Sequence, residues 1–117
     1  MEGRERSVEY YTTAAGVCPF REWRMAQSRD RRTKAAIDAR ITRFRTGNFG
    51  DSKPIGDGVA ESRIHFGPGY RVYYGVDGNK IVLLTGGDKS TQDADSRLAR
   101  KYWADYKEQK ELWKKEN

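Results

Sequence analysis

A chain of 117 residues with 36% hydrophobic and 34% charged side chains has room for one core, and its seven Tyr, four Phe and three Trp exclude a disordered composition. A single cysteine and a single histidine exclude an intramolecular disulfide, a multi-cysteine zinc site and a His-rich metal centre. The net charge of +6 favours an anionic partner, either nucleic acid or an acidic protein.

The longest apolar run, Ile81 to Leu84, is too short to cross a bilayer, and the opening Met1-Glu2-Gly3-Arg4-Glu5-Arg6 has no signal-peptide segment. A cytoplasmic protein with no membrane partner is expected. Ser7 to Thr12 is β-branched and aromatic, which predicts an edge strand ended by Ala14-Ala15-Gly16. Pro19 suits a helix start, and Phe20, Trp23 and Gln27 then fall on one stripe up to the polar Ser28-Arg29-Asp30. Ile37, Ile41 and Phe44 repeat at helical spacing in a second helix from about Arg31 to Arg45, stopped by Gly47. The two helices form a hairpin whose arginines lie mostly on the wet side.

Residues 47 to 58 read as a glycine-rich loop long enough to be functional. From Ala60 the period becomes two, with Ser62, Ile64 and Phe66 on one side and Glu61, Arg63 and His65 on the other. Gly67-Pro68-Gly69 predicts a three-residue turn, after which Tyr70, Val72, Tyr74 and Val76 return on the apolar side opposite Arg71 and Tyr73. A tight hairpin sets His65 across from Arg71 and Arg63 across from Tyr73. Asp77-Gly78 predicts a two-residue turn into a strand, Asn79 to Thr85, apolar on both faces and placed in the sheet centre. Ser90 and Asp93 give a capping pattern for a last helix with a stripe of Ala94, Leu98 and Tyr102, widened by Trp103 and Tyr106. Periodicity makes Tyr10, Trp23, Phe44, Tyr70, Tyr74, Leu98 and Tyr102 core positions, and Cys18 a small, partly buried one. The whole is a single α+β domain over residues 1–117, β-α-α-β-β-β-α, with a small, mostly antiparallel twisted sheet, an N-terminal helical hairpin and a C-terminal helix. Residues 1–6 and 107–117 are peripheral tails.

This order, with the 47–58 segment, Arg63-Ile64, Gly67-Pro-Gly-Tyr-Arg-Val-Tyr-Tyr74 and Gly86-Gly-Asp-Lys-Ser-Thr-Gln92, resembles the addiction-module killer proteins of the RelE/HigB toxin superfamily. The likeness covers roughly Tyr10 to Tyr106 and implies a RelE/ParE-like fold. It implies the toxin of a type II toxin-antitoxin module, an mRNA interferase that cleaves messenger RNA in the ribosomal decoding site, needs no cofactor and is neutralised by a cognate helix-turn-helix antitoxin. Relatives of the same fold poison DNA gyrase instead. The resemblance matches Arg71 to the family arginine after the turn tyrosine, Arg63 and His65 to basic sheet residues, and Lys89 to a basic residue after the final strand. RelE members have a tyrosine early in the last helix, where this chain has Asp93 and Asp95.

Metal-independent RNA cleavage needs a base for the 2′-hydroxyl, cations for the phosphorane and an acid for the leaving oxygen. His65 supplies a proton-transfer group, Arg71 and Arg63 supply planar forks for the scissile phosphate, and Lys89 adds a point charge beside Gly86-Gly87 and the backbone N–H groups of a helix start. Tyr73 is expected to stack on a base, and Lys53 to touch RNA. Two rival readings stand beside the nuclease: a gyrase inhibitor that cleaves nothing, and a basic module that only holds RNA.

Overall fold

The computed structural model describes residues 5–117, which run β1 (Ser7–Tyr10), α1 (Pro19–Gln27), α2 (Arg31–Arg45), β2 (Asp51–Gly56), β3 (Val59–Ile64), β4 (Tyr70–Asp77), β5 (Lys80–Gly87), a 3₁₀ turn (Lys89–Thr91) and α3 (Gln92–Glu116). The chain is α+β as expected, with one mixed sheet ordered β1-β5-β4-β3-β2, in which β1 runs parallel to β5 and the other pairs are antiparallel. Of the expected tails, residues 1–4 lie outside the described residues, while 107–116 continue α3. Among the described residues no helix is long and apolar enough to cross a membrane.

Local chemistry sets the helix ends. Pro19 opens α1, where its missing N–H costs nothing. Asp30 caps α2 by accepting from the Arg32 N–H and the Thr33 hydroxyl. Gly47, at φ 84°, closes α2: its N–H reaches the Phe44 carbonyl and that of Asn48 reaches Arg43. One arginine of α2 leaves the wet side. Arg40 is buried, and its Nη1 donates to Ser62 Oγ at 2.7 Å and to the Arg63 carbonyl at 2.8 Å, fastening α2 to β3.

The main departure from the sequence reading is that both faces of the sheet are covered. Phe20, Ile37, Ile41 and Phe44 of α1 and α2 pack against Val72, Tyr74, Ile81 and Leu83 on one face. Ala99 and Trp103 of α3 pack against Val59, Tyr73, Val82 and Leu84 on the other. The side of β3 and β4 that reads as polar and wet is therefore the floor under α3. Gly75 makes that approach possible, since a Cβ there would lie 2.5 Å from the Trp103 ring. The α3 stripe is rotated accordingly: Ala99 and Trp103 are buried, Tyr102 and Tyr106 flank them, and Leu98 is 38% exposed. Phe44 and Tyr74 are buried as expected, whereas Tyr10, Trp23 and Tyr70 only flank the core.

Turn lengths also differ. The glycine-rich stretch contains strand β2, closed onto β3 by Asp57-Gly58, whose φ values of 56° and 85° are those of a primed hairpin turn. Pro54 is tolerated because β2 is an edge strand. The β3–β4 link spans residues 65–69, so Ile64 pairs with Tyr70 and Arg63 with Arg71, two residues away from the expected register. Asp77 pairs with Lys80, which moves the next turn to Gly78-Asn79. β5 is interior, with β4 at the centre of the sheet. Its Leu84 bulges opposite Tyr73, so Leu84 and Thr85 both face α3.

Candidate active site

Three segments meet where β3 and β5 end and β4 begins. Arg63 is next to last in β3, His65 and Gly69 belong to the link, Arg71 is second in β4, and Lys89 opens the 3₁₀ turn after β5. They surround a cleft of about 170 Å³ lined by Arg63, Ile64, His65, Gly69, Tyr70, Arg71 and Lys89. Pockets for drug-sized ligands run to roughly 300–1,000 Å³, so this cleft suits a phosphate-sized group. Gly69, at φ 80°, lies between two of the cations: a Cβ there would be 3.7 Å from Arg71 Nη1 and 3.8 Å from Lys89 Cβ. The four residues expected to act on RNA thus line one cleft, although not in the predicted register.

Arg71 is not outward. It is 5% exposed, its Nε lies 3.2 Å from Oε2 of the fully buried Glu61, and its Nη1 donates to the Gly69 carbonyl at 2.9 Å. The Nε–H is not aimed along the line to Oε2, so this is a charge contact, not an aligned hydrogen bond. Glu61 also accepts from Gln92 Nε2 at 3.1 Å and from the Tyr73 hydroxyl at 3.4 Å. Tyr73 is fully buried, with its hydroxyl pushed up to about 12 by desolvation, so its expected stacking on a base is corrected to a place in the α3 core. Lys53 sits on β2 outside the cleft lining, half exposed, with Nζ 3.9 Å from Glu61 Oε1.

His65 is exposed, and its Nε2 lies 2.6 Å from Asp51 Oδ2. That hydrogen bond holds the Asp51 carboxyl below the usual carboxylate range, with Arg63, His65 and Arg40 adding charge support. Reading residues 47–58 as loop hid Asp51. As the first residue of β2, it pairs with Arg63 and so comes within reach of the imidazole. A carboxylate on one imidazole nitrogen fixes the ring and leaves the other nitrogen to exchange a proton.

The backbone beside Lys89 differs from the expected anion cradle. Asp88 caps the 3₁₀ turn, engaging the Ser90 N–H at 2.8 Å, and Thr91 completes the capping box in place of the Ser90–Asp93 pattern. Gly86 is small because Trp23 packs on it, and Gly87 because Asp95 does. Burial raises the Asp95 carboxyl, which accepts from the Thr91 hydroxyl. The Ser90 and Thr91 N–H groups are thus taken by Asp88, and Lys89 offers the cleft its side-chain charge. A larger cavity, about 630 Å³, lies beside Val76, Trp103, Tyr106 and the lysines of the second half of α3, and none of the expected residues line it.

Over 82 residues the chain is 49% identical to an uncharacterized protein of Haemophilus influenzae, a match that spans 69% of this chain and 82% of the relative. No protein-family model matches the chain. No solved structure matches it either.

Proposed function

We propose, for a chain that belongs to the same family as the Haemophilus influenzae protein, that it is a toxin ribonuclease acting on messenger RNA in the ribosome. The observation that carries this reading is the cleft itself: an imidazole steered by a carboxylate, beside two arginines and a lysine, in a space of phosphate size. In the proposed reaction the neutral His65 imidazole accepts the 2′-hydroxyl proton, and the 2′-oxygen attacks phosphorus. The P–O5′ bond breaks, leaving a 2′,3′-cyclic phosphate, and the imidazolium returns the proton to the 5′-oxygen. Asp51 stabilises the imidazolium between the two transfers. Arg71, Arg63 and Lys89 hold the charge that develops on the phosphorane oxygens. The resemblance noted in the sequence supplies the ribosome as the place of action and a helix-turn-helix antitoxin as the neutralising partner.

Induced expression tests the proposal. Growth should arrest, and primer extension on a translated message should show new 5′ ends at ribosome positions while supercoiling by purified gyrase is unaffected. Gyrase inhibition with intact message would move the assignment to the gyrase-poisoning relatives. Normal growth at high levels of folded protein would end the toxin reading.

A further inference from the structure

Glu61 is a buried carboxylate for which the proposed chemistry has no direct use. It is fully enclosed, so it touches no substrate. Burying a carboxylate is costly, and a glutamine would fill the same volume without the charge. The cation nearest that charge is the Arg71 guanidinium, at 3.2 Å, with the half-exposed Lys53 ammonium farther off at 3.9 Å. Of the five donors of that guanidinium, Nε lies against Glu61 and Nη1 against the Gly69 carbonyl, and no hydrogen bond among the described residues uses Nη2. Glu61 is itself held from two elements, by Tyr73 of β4 and Gln92 of α3. We infer that Glu61 is a positioning residue, fixing the Arg71 guanidinium from behind so that its remaining N–H groups face the cleft in one orientation. The role rests on reading the cleft as a phosphate site. It also links the cleft to α3, because Gln92 opens that helix.

The positioning role has a signature that separates it from a structural one. Glu61→Gln removes a negative charge from behind the cleft, so attraction for an anion should be unchanged or stronger. The guanidinium becomes free to move, and the single-turnover cleavage rate on saturated, programmed ribosomes should fall by about 10 to 10²-fold. In the full chain labelled with ¹⁵N, the Arg71 Nε–Hε signal should be sharp and shift on titration with inorganic phosphate. In Glu61→Gln it should broaden while the backbone spectrum stays the same. If Glu61→Gln does not fold, Tyr73→Phe and Gln92→Ala each loosen Glu61 and should give smaller changes of the same sign. An unchanged Arg71 signal, or phosphate binding and rate falling together, would overturn the inference. Absence of cleavage by the wild type overturns the nuclease reading alone, because the phosphate titration still decides what Glu61 does.

Discussion

Deleting the Arg71 side chain does two things at once. It removes a cation from the cleft and leaves the fully buried Glu61 carboxylate with only the Lys53 ammonium, 3.9 Å away. Breaking a buried ion pair from one side costs about 3–5 kcal/mol, so Arg71→Ala should lose that much in urea unfolding, and Arg71→Ala/Glu61→Gln should recover a measurable part of it. A double variant no more stable than Arg71→Ala would mean that the pair is not coupled. His65 is the opposite case, since it is exposed and its removal strands nothing. His65→Gln should keep the fold and lose about 10²–10⁴ in cleavage rate, and Asp51→Asn should lose less, on the order of tenfold, because the imidazole stays but its orientation is freed. Equal rates for His65→Gln and wild type would remove His65 from the chemistry. Arg63, His65, Arg71 and Lys89 are legible in the sequence because cations and a histidine flank a recognisable turn. Asp51 and Glu61 are not. Asp51 sits among glycines that hide a strand, and Glu61 alternates with apolar residues as a solvent-facing residue would, until a helix covers that face.

Helices are the most legible elements because their ends are decided locally: Pro19, Asp30 and Gly47 mark α1 and α2 without help from the rest of the fold. Strand pairing is decided by turns, whose length composition leaves open. A link of five residues in place of three moved the β3–β4 register by two, which preserved the faces but changed the partners. The β2–β3 turn carries the Asp-Gly signal that marks hairpins, but the glycine-rich 47–58 stretch has no period of two to announce the strand before it. Its cost is testable by comparing two turn glycines. Gly58 and Gly78 both have positive φ, but a Cβ at Gly58 would lie 2.9 Å from Trp103 Nε1, whereas one at Gly78 meets open space. Gly78→Ala should cost about 1 kcal/mol, from backbone strain alone, and Gly58→Ala clearly more. Equal losses in denaturant midpoints would mean that Trp103 yields freely.

On the scale of the whole molecule, helices cover both faces of the sheet, so strand residues reach solvent along the edge strands and at the strand ends. The end where β3 and β5 finish and β4 starts is one of these, and the cleft lies there. The charge of +6 is spread over the chain, but much of it is locally compensated: Arg71 by Glu61, Arg24 and Lys34 by Asp38, and Lys110 by Asp77. In the cleft, Arg63 is met by the exposed Asp51 and no ion pair among the described residues holds Lys89, so attraction for a polyanion should depend on a few side chains more than on net charge. Counterion release gives a slope of about −0.7 in log affinity against log salt for each single-strand phosphate neutralised. Lys89→Ala should therefore flatten the slope for a single-stranded RNA oligonucleotide by about 0.7 and weaken binding alike across sequences. Lys114→Ala, which changes net charge equally but lies near the other end of α3, should leave the slope where it was. If both variants flatten it alike, RNA is held by diffuse charge and the cleft has no special claim on the phosphate. If Lys89→Ala alone does so, the strand passes through the cleft that His65 and Arg71 line.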